Sequence, residues 1–310
     1  MTTRAFQIAG IGEVLWDLLP AGKQLGGAPA NFVCHAHALS AQARLISRVG
    51  DDPAGREIIA RFQSRGLPTE TVRIDATAPT GTVSVEVDAS GHPNYTIHEN
   101  VAWDRIAADD IALDAIRTAD AVCFGSLAQR TPFVRATVST LLAATRPDAL
   151  RIFDINLRPP FIDRNTITES IAAANVLKLN EQELPVLADL FHLSGNPAQQ
   201  LAALAGRFPL RLIALTRGGD GSMLFAEGQL VEDTGLPVAV RDTVGAGDSF
   251  TAAVTVGLLQ KWPLEQISHR ANAIAAYVCS QAGATPPLPE ELREPFIRGQ
   301  SPVETAPSPA

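Results

Sequence analysis

The sequence predicts an α/β fold: a doubly wound, mostly parallel sheet with helices on both faces and a small β-sheet lid. Two observations support this prediction. From residue 119 onward, short apolar runs of strand length alternate with helical stretches, which is typical of strand–helix–strand units in a parallel sheet. Residues 81–99 instead alternate apolar and polar side chains around an Asp-Ala-Ser-Gly turn, which predicts a half-exposed hairpin.

The individual elements follow from local signals. The apolar run at residues 6–11 predicts a buried first strand, and the small residues at 28–41 predict the first long helix. Pro53, at a helix N1 position, opens a second helix that ends near residue 65. Later strands are predicted at residues 121–124, 150–155, 176–179 and 212–216, with an edge hairpin at 224–231. Later helices are predicted at residues 132–145, 181–190, 198–207, 244–260 and 264–282.

One domain over residues 1–299 accounts for this organisation, and residues 81–99 contribute its lid. No linker and no internal repeat interrupts the pattern. Residues 300–310 are rich in Pro, Ser and Ala, and we predict that they form a disordered tail.

Composition and charge argue against several classes of partner. The formal net charge is −8 and no basic cluster occurs, so neither nucleic acid nor an anionic membrane is expected as the main partner. No signal peptide and no run of about 18 apolar residues occurs, which predicts a soluble cytoplasmic protein. Three cysteines stand far apart in apolar runs and are predicted to be buried free thiols: Cys34, Cys123 and Cys279.

Residues 242–248 read Asp-Thr-Val-Gly-Ala-Gly-Asp and run directly into an apolar helix pattern. Small residues at a helix start let backbone N–H groups surround a phosphate, and the helix dipole favours its charge. The expected anion site comprises Gly245, Ala246 and Gly247. Asp248 at its edge is suited to take a proton from an attacking hydroxyl. The alternative is an ordinary helix N-terminus with an acid in its first turn.

This segment resembles the C-terminal signature of the ribokinase-like (PfkB) carbohydrate kinases. That family transfers the γ-phosphate of ATP to a sugar hydroxyl, and its signature ends in the catalytic base. The resemblance therefore implies a ribokinase-like fold, Asp248 as the base, and ATP with Mg²⁺ as the phosphate donor. The family also often places a monovalent cation near the residue that matches Asp242, so K⁺ is a further expectation.

Three other segments match the sugar side of that family. Gly26 and Gly27 precede the first helix, and Asn31 lies about one turn into it, as in the N-terminal signature whose residues contact the sugar. Asp17 follows the first strand, and a carboxylate there can accept hydrogen bonds from two sugar hydroxyls. Arg158 ends an Asp-x-Asn-x-Arg segment and could reach phosphate or sugar. Taken alone, each segment also reads as a loop or a surface acid.

The nucleotide side rests on weaker matches. Asn180 and Glu183 have the family's Asn-x-x-Glu spacing, tied to Mg²⁺ and phosphate, with Glu183 as an outer-shell ligand; helix capping is the alternative. Thr216, Gly218 and Gly221 match a Gly-rich turn along the nucleotide, although such a turn also suits a hairpin. By the same resemblance, Asn272 would lie near the adenine.

The substrate is predicted less closely than the reaction. Residues 12–20 and 95–104 most resemble bacterial fructokinases. The alternatives are 2-keto-3-deoxygluconate kinase and a ribokinase or nucleoside kinase of the same family. An acidic sugar would need cationic contacts, and Lys23 is the one lysine of the first loop, which favours a neutral sugar. The expected partners are a small-molecule sugar and ATP, bound by a monomer or a homodimer.

Overall fold

The computed structural model describes residues 5–19, 22–87 and 93–298, and the elements below belong to those ranges. The strands are β1 (Gln7–Ile11), β2 (Leu15–Leu19), β3 (Gly22–Gly26), β4 (Gln42–Gly50), β5 (Val72–Asp75), β6 (Gly81–Val87), β7 (Pro93–Ile97), β8 (Ala121–Gly125), β9 (Leu150–Asp154), β10 (Val176–Asn180), β11 (Leu212–Thr216), β12 (Ser222–Ala226) and β13 (Gln229–Asp233). The helices are α1 (Ala28–Ala38), α2 (Pro53–Ser64), α3 (Asp110–Thr118), α4 (Pro132–Ala143), α5 (Arg164–Ala173), α6 (Leu184–Phe191), α7 (Pro197–Arg207), α8 (Ala246–Leu259), α9 (Leu264–Cys279) and α10 (Glu290–Arg298). The predicted hairpin turn at 88–91 and the tail lie outside these ranges.

The large sheet has nine strands in the order β13-β12-β11-β10-β9-β8-β1-β4-β5. Every neighbouring pair from β11 to β5 is parallel, and β12 and β13 add an antiparallel edge hairpin. This arrangement confirms the predicted doubly wound, mostly parallel sheet. In such sheets, ligands bind beyond the carboxyl ends of the strands.

The two faces of the large sheet carry separate apolar cores. Helices α1, α2, α8, α9 and α10 pack on one face, and α3 to α7 pack on the other. Alternate residues of a strand point to opposite faces, so Val176 of β10 joins the first core while Leu177 and Leu179 join the second. Lys178 therefore points towards the face that carries α8.

A separate sheet of four strands has the order β3-β2-β6-β7. The predicted hairpin at 81–99 supplies β6 and β7, but β2 and β3 also belong to this sheet, which the prediction limited to 81–99. Two of the five residues of β3 are glycines and two more are Lys23 and Gln24, so its strand propensity is low. We call this sheet the lid. Trp16 of β2 is fully buried beneath it and donates from Nε1 to the carbonyl oxygen of Ala54 at 3.1 Å.

Several predicted boundaries need correction. The sequence pattern did not predict β2, β3, β5, α3, α5 or α10. Helix α6 begins at Leu184 rather than at residue 181, because a turn occupies residues 180–183. Pro53 opens α2 as predicted, and Asp52 caps it by accepting from the Gly55 N–H at 2.7 Å. Asp52 also accepts from the backbone N–H and the hydroxyl of Thr80, so the start of α2 holds the chain that leads into β6.

The three cysteines are free, as predicted, although Cys279 is only half-buried. Within the described residues, none of the helices is both long enough and apolar enough to cross a bilayer.

Candidate active site

The N-terminus of α8 lies above the carboxyl ends of the central strands. Gly245 is its N-cap, with φ 81°, and no side chain caps the helix. Thr251 of α8 bonds to Asp154 at the end of β9, and Gly247 lies directly over Lys178 of β10. No side chain caps the first-turn N–H groups of residues 245–248, although that of Ala246 donates to the Thr243 carbonyl oxygen at 3.3 Å. This helix start is the candidate anion site, which we call the phosphate cradle.

Asp248 stands at the edge of the cradle, in contact with α1. Its Oδ2 atom accepts a hydrogen bond from Asn31 Nδ2 at 2.8 Å, across 217 positions of sequence. Burial raises the pKa of Asp248 to about 6, helped by the charge of Asp154 and opposed by Asn31, Lys178 and Arg158. A carboxylate with this pKa is ionised at neutral pH and is basic enough to accept a proton from a hydroxyl.

Asp17 and the two glycines lie together on the lid side of the site. A Cβ at Gly26 would overlap the carboxylate of Asp17, and one at Gly27 would overlap the carbonyl oxygen of Glu13. Gly27 also has φ 106°. Burial raises the pKa of Asp17 to about 6, while Arg158 lowers it and Asp242 raises it. The structure thus brings together Asp17, Gly26, Gly27, Asn31 and Asp248, which the sequence assigned separately.

Glu13 is a site residue that the sequence analysis did not single out. It follows β1, is 3% exposed, and its Oε2 atom has no hydrogen-bond partner. Burial raises its pKa to about 7; Arg158 lowers the pKa and Asp248 raises it. An acid directly after a buried strand was the available signal, because such positions reach the ligand crevice.

Lys178 is the second site residue that the sequence analysis missed. Its Nζ atom lies 3.1 Å from Asp154 Oδ1, and both side chains are at least nine-tenths buried. A lysine inside the apolar run of β10 was the signal, because lysine is almost never fully buried unless it is paired.

Asn180 and Glu183 form the turn before α6. Asn180 Oδ1 accepts from the N–H groups of Gln182 and Glu183, and the Glu183 carboxylate accepts from those of Asn180 and Leu157, both at 2.8 Å. The capping alternative is therefore present in the structure. Glu183 also fixes the loop that carries Arg158, because Leu157 is the residue before it.

The remaining nucleotide-side residues lie around β11, β12 and α9. Thr216 ends β11, and Gly218 begins the turn after it with φ 54°. Gly221 has φ 80°, and a Cβ there would overlap the Asp233 carbonyl oxygen, so packing against the β13 end already requires glycine. Asn272 is buried and donates from Nδ2 to Ser222 Oγ at 2.8 Å. That contact favours a packing role for the Asn272 amide nitrogen.

Asp242 holds the segment before the cradle. One carboxylate oxygen accepts from the Val244 N–H and the other from the Gly283 N–H, each at 3.0 Å. The next residue, Ala284, lies against Gly245, and His35 Nε2 donates to its carbonyl oxygen at 2.9 Å.

Gly245→Ala is expected to destabilise the protein by about 1–3 kcal/mol, because a non-glycine residue at positive φ is strained and its Cβ would overlap the Ala284 carbonyl oxygen. Urea unfolding measures the change. Gly206→Ala, in a helix with open space around it, is the matched control and is expected to stabilise slightly. An equal response of the two variants would contradict this account of Gly245.

The residues around the cradle fit a nucleotide whose phosphates carry the metal ion. The glycines leave room for phosphate, and Mg²⁺ is usually bound through substrate phosphates and one or two carboxylates rather than by an all-protein cage. Residues 5–19, 22–87 and 93–298 contain no cluster of three or more potential metal-binding side chains.

The chain is similar in sequence and in fold to known carbohydrate kinases. A family model described as pfkB family carbohydrate kinase matches residues 21–291. A fructokinase of Klebsiella pneumoniae is 30% identical over 259 residues, which cover 80% of this chain and 83% of that protein. The solved structure of a sugar kinase from Pyrococcus horikoshii in complex with ATP is 29% identical, with a TM-score of 0.80 and coverage of 94% of this chain and 99% of that one. A fructokinase with bound ATP from Xylella fastidiosa, 19% identical over 94% of this chain and 98% of its own, supports the fold with a TM-score of 0.82.

Proposed function

The chain belongs to the pfkB family of carbohydrate kinases, and we propose on this basis that it is a fructokinase. The reaction class, ATP-dependent phosphorylation of a sugar, follows from the family. The choice of fructose, the roles of the individual residues and the cation requirement are our proposals.

The contact between Asn31 and Asp248 carries the proposal. Asn31 belongs to the Gly-Gly segment on the sugar side, and Asp248 belongs to the phosphate cradle. Their 2.8 Å hydrogen bond means that a sugar hydroxyl bound near Asn31 would also lie near a carboxylate and a phosphate site. That combination is what in-line transfer from ATP to a hydroxyl requires.

In the proposed step, Asp248 takes the proton of a primary sugar hydroxyl. The hydroxyl oxygen forms a bond to the γ-phosphorus as the bond from that phosphorus to the bridging oxygen breaks, and ADP leaves. The N–H groups of the cradle stabilise the charge on the transferring group. Mg²⁺ bound with ATP would neutralise negative charge on the phosphates. The lid limits the access of water, so that ATP is not hydrolysed instead.

Charge around the sugar side favours a neutral sugar. Lys23 forms an ion pair with Glu57 and lies over the Trp16 ring, 4.5 Å from its centroid. Its ammonium is therefore not free to pair with the carboxylate of an acidic sugar. Arg158 is exposed and acts on the acids Glu13 and Asp17. The names of relatives such as the Klebsiella fructokinase also support fructose.

A 2-keto-3-deoxygluconate kinase is the second candidate. The exposed guanidinium of Arg158 is the observation that favours it, because an acidic sugar would need such a cation.

The remaining assignments are parts of the same proposal. Thr216, Gly218, Gly221 and Asn180 lie at or just beyond the ends of β10 and β11, where the nucleotide is proposed to bind. The proposal that Asn272 lies near the adenine has less support, because its Nδ2 already donates to Ser222 Oγ. Glu183 is the proposed outer-shell carboxylate for Mg²⁺. A K⁺ site near Asp242 would use backbone oxygens and the remaining lone pairs of that carboxylate.

A panel of acceptors tests the function. The purified chain is incubated with ATP, Mg²⁺ and fructose, 2-keto-3-deoxygluconate, ribose or inosine, and ADP release is followed by a coupled assay. We expect the highest kcat/KM with fructose, and ³¹P NMR of the product identifies the phosphorylated hydroxyl. A higher kcat/KM with 2-keto-3-deoxygluconate would transfer the assignment to the second candidate. Repeating the best reaction with Na⁺ in place of K⁺ tests the cation proposal.

The rate is expected to fall in acid. Because the pKa of Asp248 is about 6, lowering the pH below 6 protonates the base, and kcat/KM should fall roughly tenfold per pH unit. Asp17 also has a pKa of about 6, so Asp17→Asn is the control. If Asp248 causes the fall of kcat/KM below pH 6, which we call the acidic limb, this variant should still show it. A flat profile between pH 5 and pH 8 would contradict the role of Asp248.

A further inference from the structure

Lys178 is a buried cation on the face of β10 that carries α8. It is 6% exposed, and its register partner on the neighbouring strand is Asp154. Residues paired across strands point to the same face, so both side chains lie beneath the first two turns of α8. Val176, two residues earlier on the same face, is an ordinary apolar core residue.

Contacts join this pair to the phosphate cradle. Lys178 Nζ lies 3.1 Å from Asp154 Oδ1, and Thr251 Oγ lies 3.0 Å from Asp154 Oδ2. The ammonium is 2.9 Å from the point where a Cβ of Gly247 would stand. The positive charge is therefore nearer the cradle than an ordinary side chain at position 247 would allow.

Burying an ion pair is not an efficient way to stabilise a fold. Desolvation of both charges offsets most of their attraction, and apolar side chains of similar volume often stabilise as well or better. The surroundings also matter, because four acids influence this part of the site: Glu13, Asp154, Glu183 and Asp248. The facing cations are Lys178 and Arg158, and of these Lys178 is the buried one.

We propose that Lys178 is a positioning residue for phosphoryl transfer, which supplies positive charge beneath the phosphate cradle and keeps Asp248 ionised. This inference rests on the proposed function of the cradle and deepens it. Two separable effects follow. The ammonium favours the phosphates of the nucleotide from below Gly247, and it opposes the effect of Asp154 on the base.

The experiment compares Lys178→Met with the double variant Lys178→Met/Asp154→Leu. Lys178→Met leaves Asp154 buried without its partner, whereas the double variant replaces the whole pair by apolar side chains. Three quantities are measured for each: the melting temperature, the affinity for ADP by titration calorimetry without sugar, and the pH dependence of kcat/KM with the best acceptor.

We expect Lys178→Met to melt lower, to lose about 10²–10³-fold in kcat, and to move its acidic limb upward by about 1 pH unit or more. In the double variant the melting temperature and the acidic limb should return to wild-type values or pass them. Its ADP affinity and kcat should stay low, because the charge beneath Gly247 is still missing.

Recovery of wild-type ADP affinity and kcat in the double variant would overturn the proposal and leave the pair with a purely structural role. An unmoved acidic limb in Lys178→Met would overturn the part that concerns Asp248. Failure of the proposed function gives a different result: the wild-type chain would then form no ADP with any acceptor. The ADP affinities of the variants are read without a sugar and test the charge effect independently.

Discussion

Replacing Asp248 by Asn is expected to lower kcat by about 10²–10⁴-fold, the usual effect of removing a general base. Asn has nearly the same shape and can still accept from Asn31 Nδ2, so the cradle should keep its geometry. The measurement is kcat for ADP formation at saturating ATP and sugar, with nucleotide affinity measured separately. We expect that affinity to change little, because Asp248 is proposed to act on the hydroxyl and not to hold the nucleotide.

Stability provides the control for this variant. The pKa of folded Asp248 is raised above its ordinary value of 3.8 to about 6, so the folded state binds the proton more tightly than the unfolded chain does. The resulting stabilisation is present in acid and is lost as the pH rises through about 6. At neutral pH a neutral Asn should therefore melt no lower than the wild type. Near-normal turnover in this variant would remove Asp248 from the mechanism.

Replacing Arg130 by Met is expected to cost about 3–5 kcal/mol of unfolding free energy, because it leaves the carboxylate of Asp104 buried without its partner. Arg130 Nε and Nη2 donate to the two oxygens of Asp104 at 2.7 and 2.8 Å, and the side chains are 4% and 7% exposed. The guanidinium also lies 3.8 Å from the centroid of the Trp103 ring and donates to the carbonyl oxygen of His98 at the end of the lid.

Arg164→Met is the matched control for this prediction. Arg164 forms an ion pair with Asp189 at 2.8 Å, but the two side chains are 63% and 80% exposed. Solvent screens such a pair, so little change in stability is expected. Urea unfolding of both variants at one pH gives the comparison. A loss in Arg130→Met no larger than in Arg164→Met would show that burial adds nothing to the Arg130 pair.

The strands that could be predicted from sequence are those whose burial on both faces produces a continuous apolar run. β8, β10 and β11 are of this kind, and their predicted and observed limits differ by one residue at most. β3 is different, because Gly26 at its end permits the close approach of Asp17, and Gly27 just after the strand permits that of Glu13. Local propensity carries no record of such a requirement.

Candidate site residues could be predicted from sequence where they stand together in one short segment, as in the segment that ends at Asp248. The relation between Asn31 and Asp248 is not local: it depends on the packing of α1 against α8. Lys178 was missed for a similar reason. A lysine in an apolar run indicates a buried pair, but its partner Asp154 lies on the neighbouring strand and the cradle lies on the helix above it, so local sequence names neither.

The short connection between β3 and α1 has a mechanical consequence. β3 ends at Gly26 and α1 begins at Ala28, so Gly27 alone joins a lid strand to the helix that carries Asn31. Any displacement of that strand is passed on to the helix within one residue of chain. We therefore expect movement of the lid over a bound sugar to shift α1 as well, and with it the Asn31 amide that already donates to Asp248.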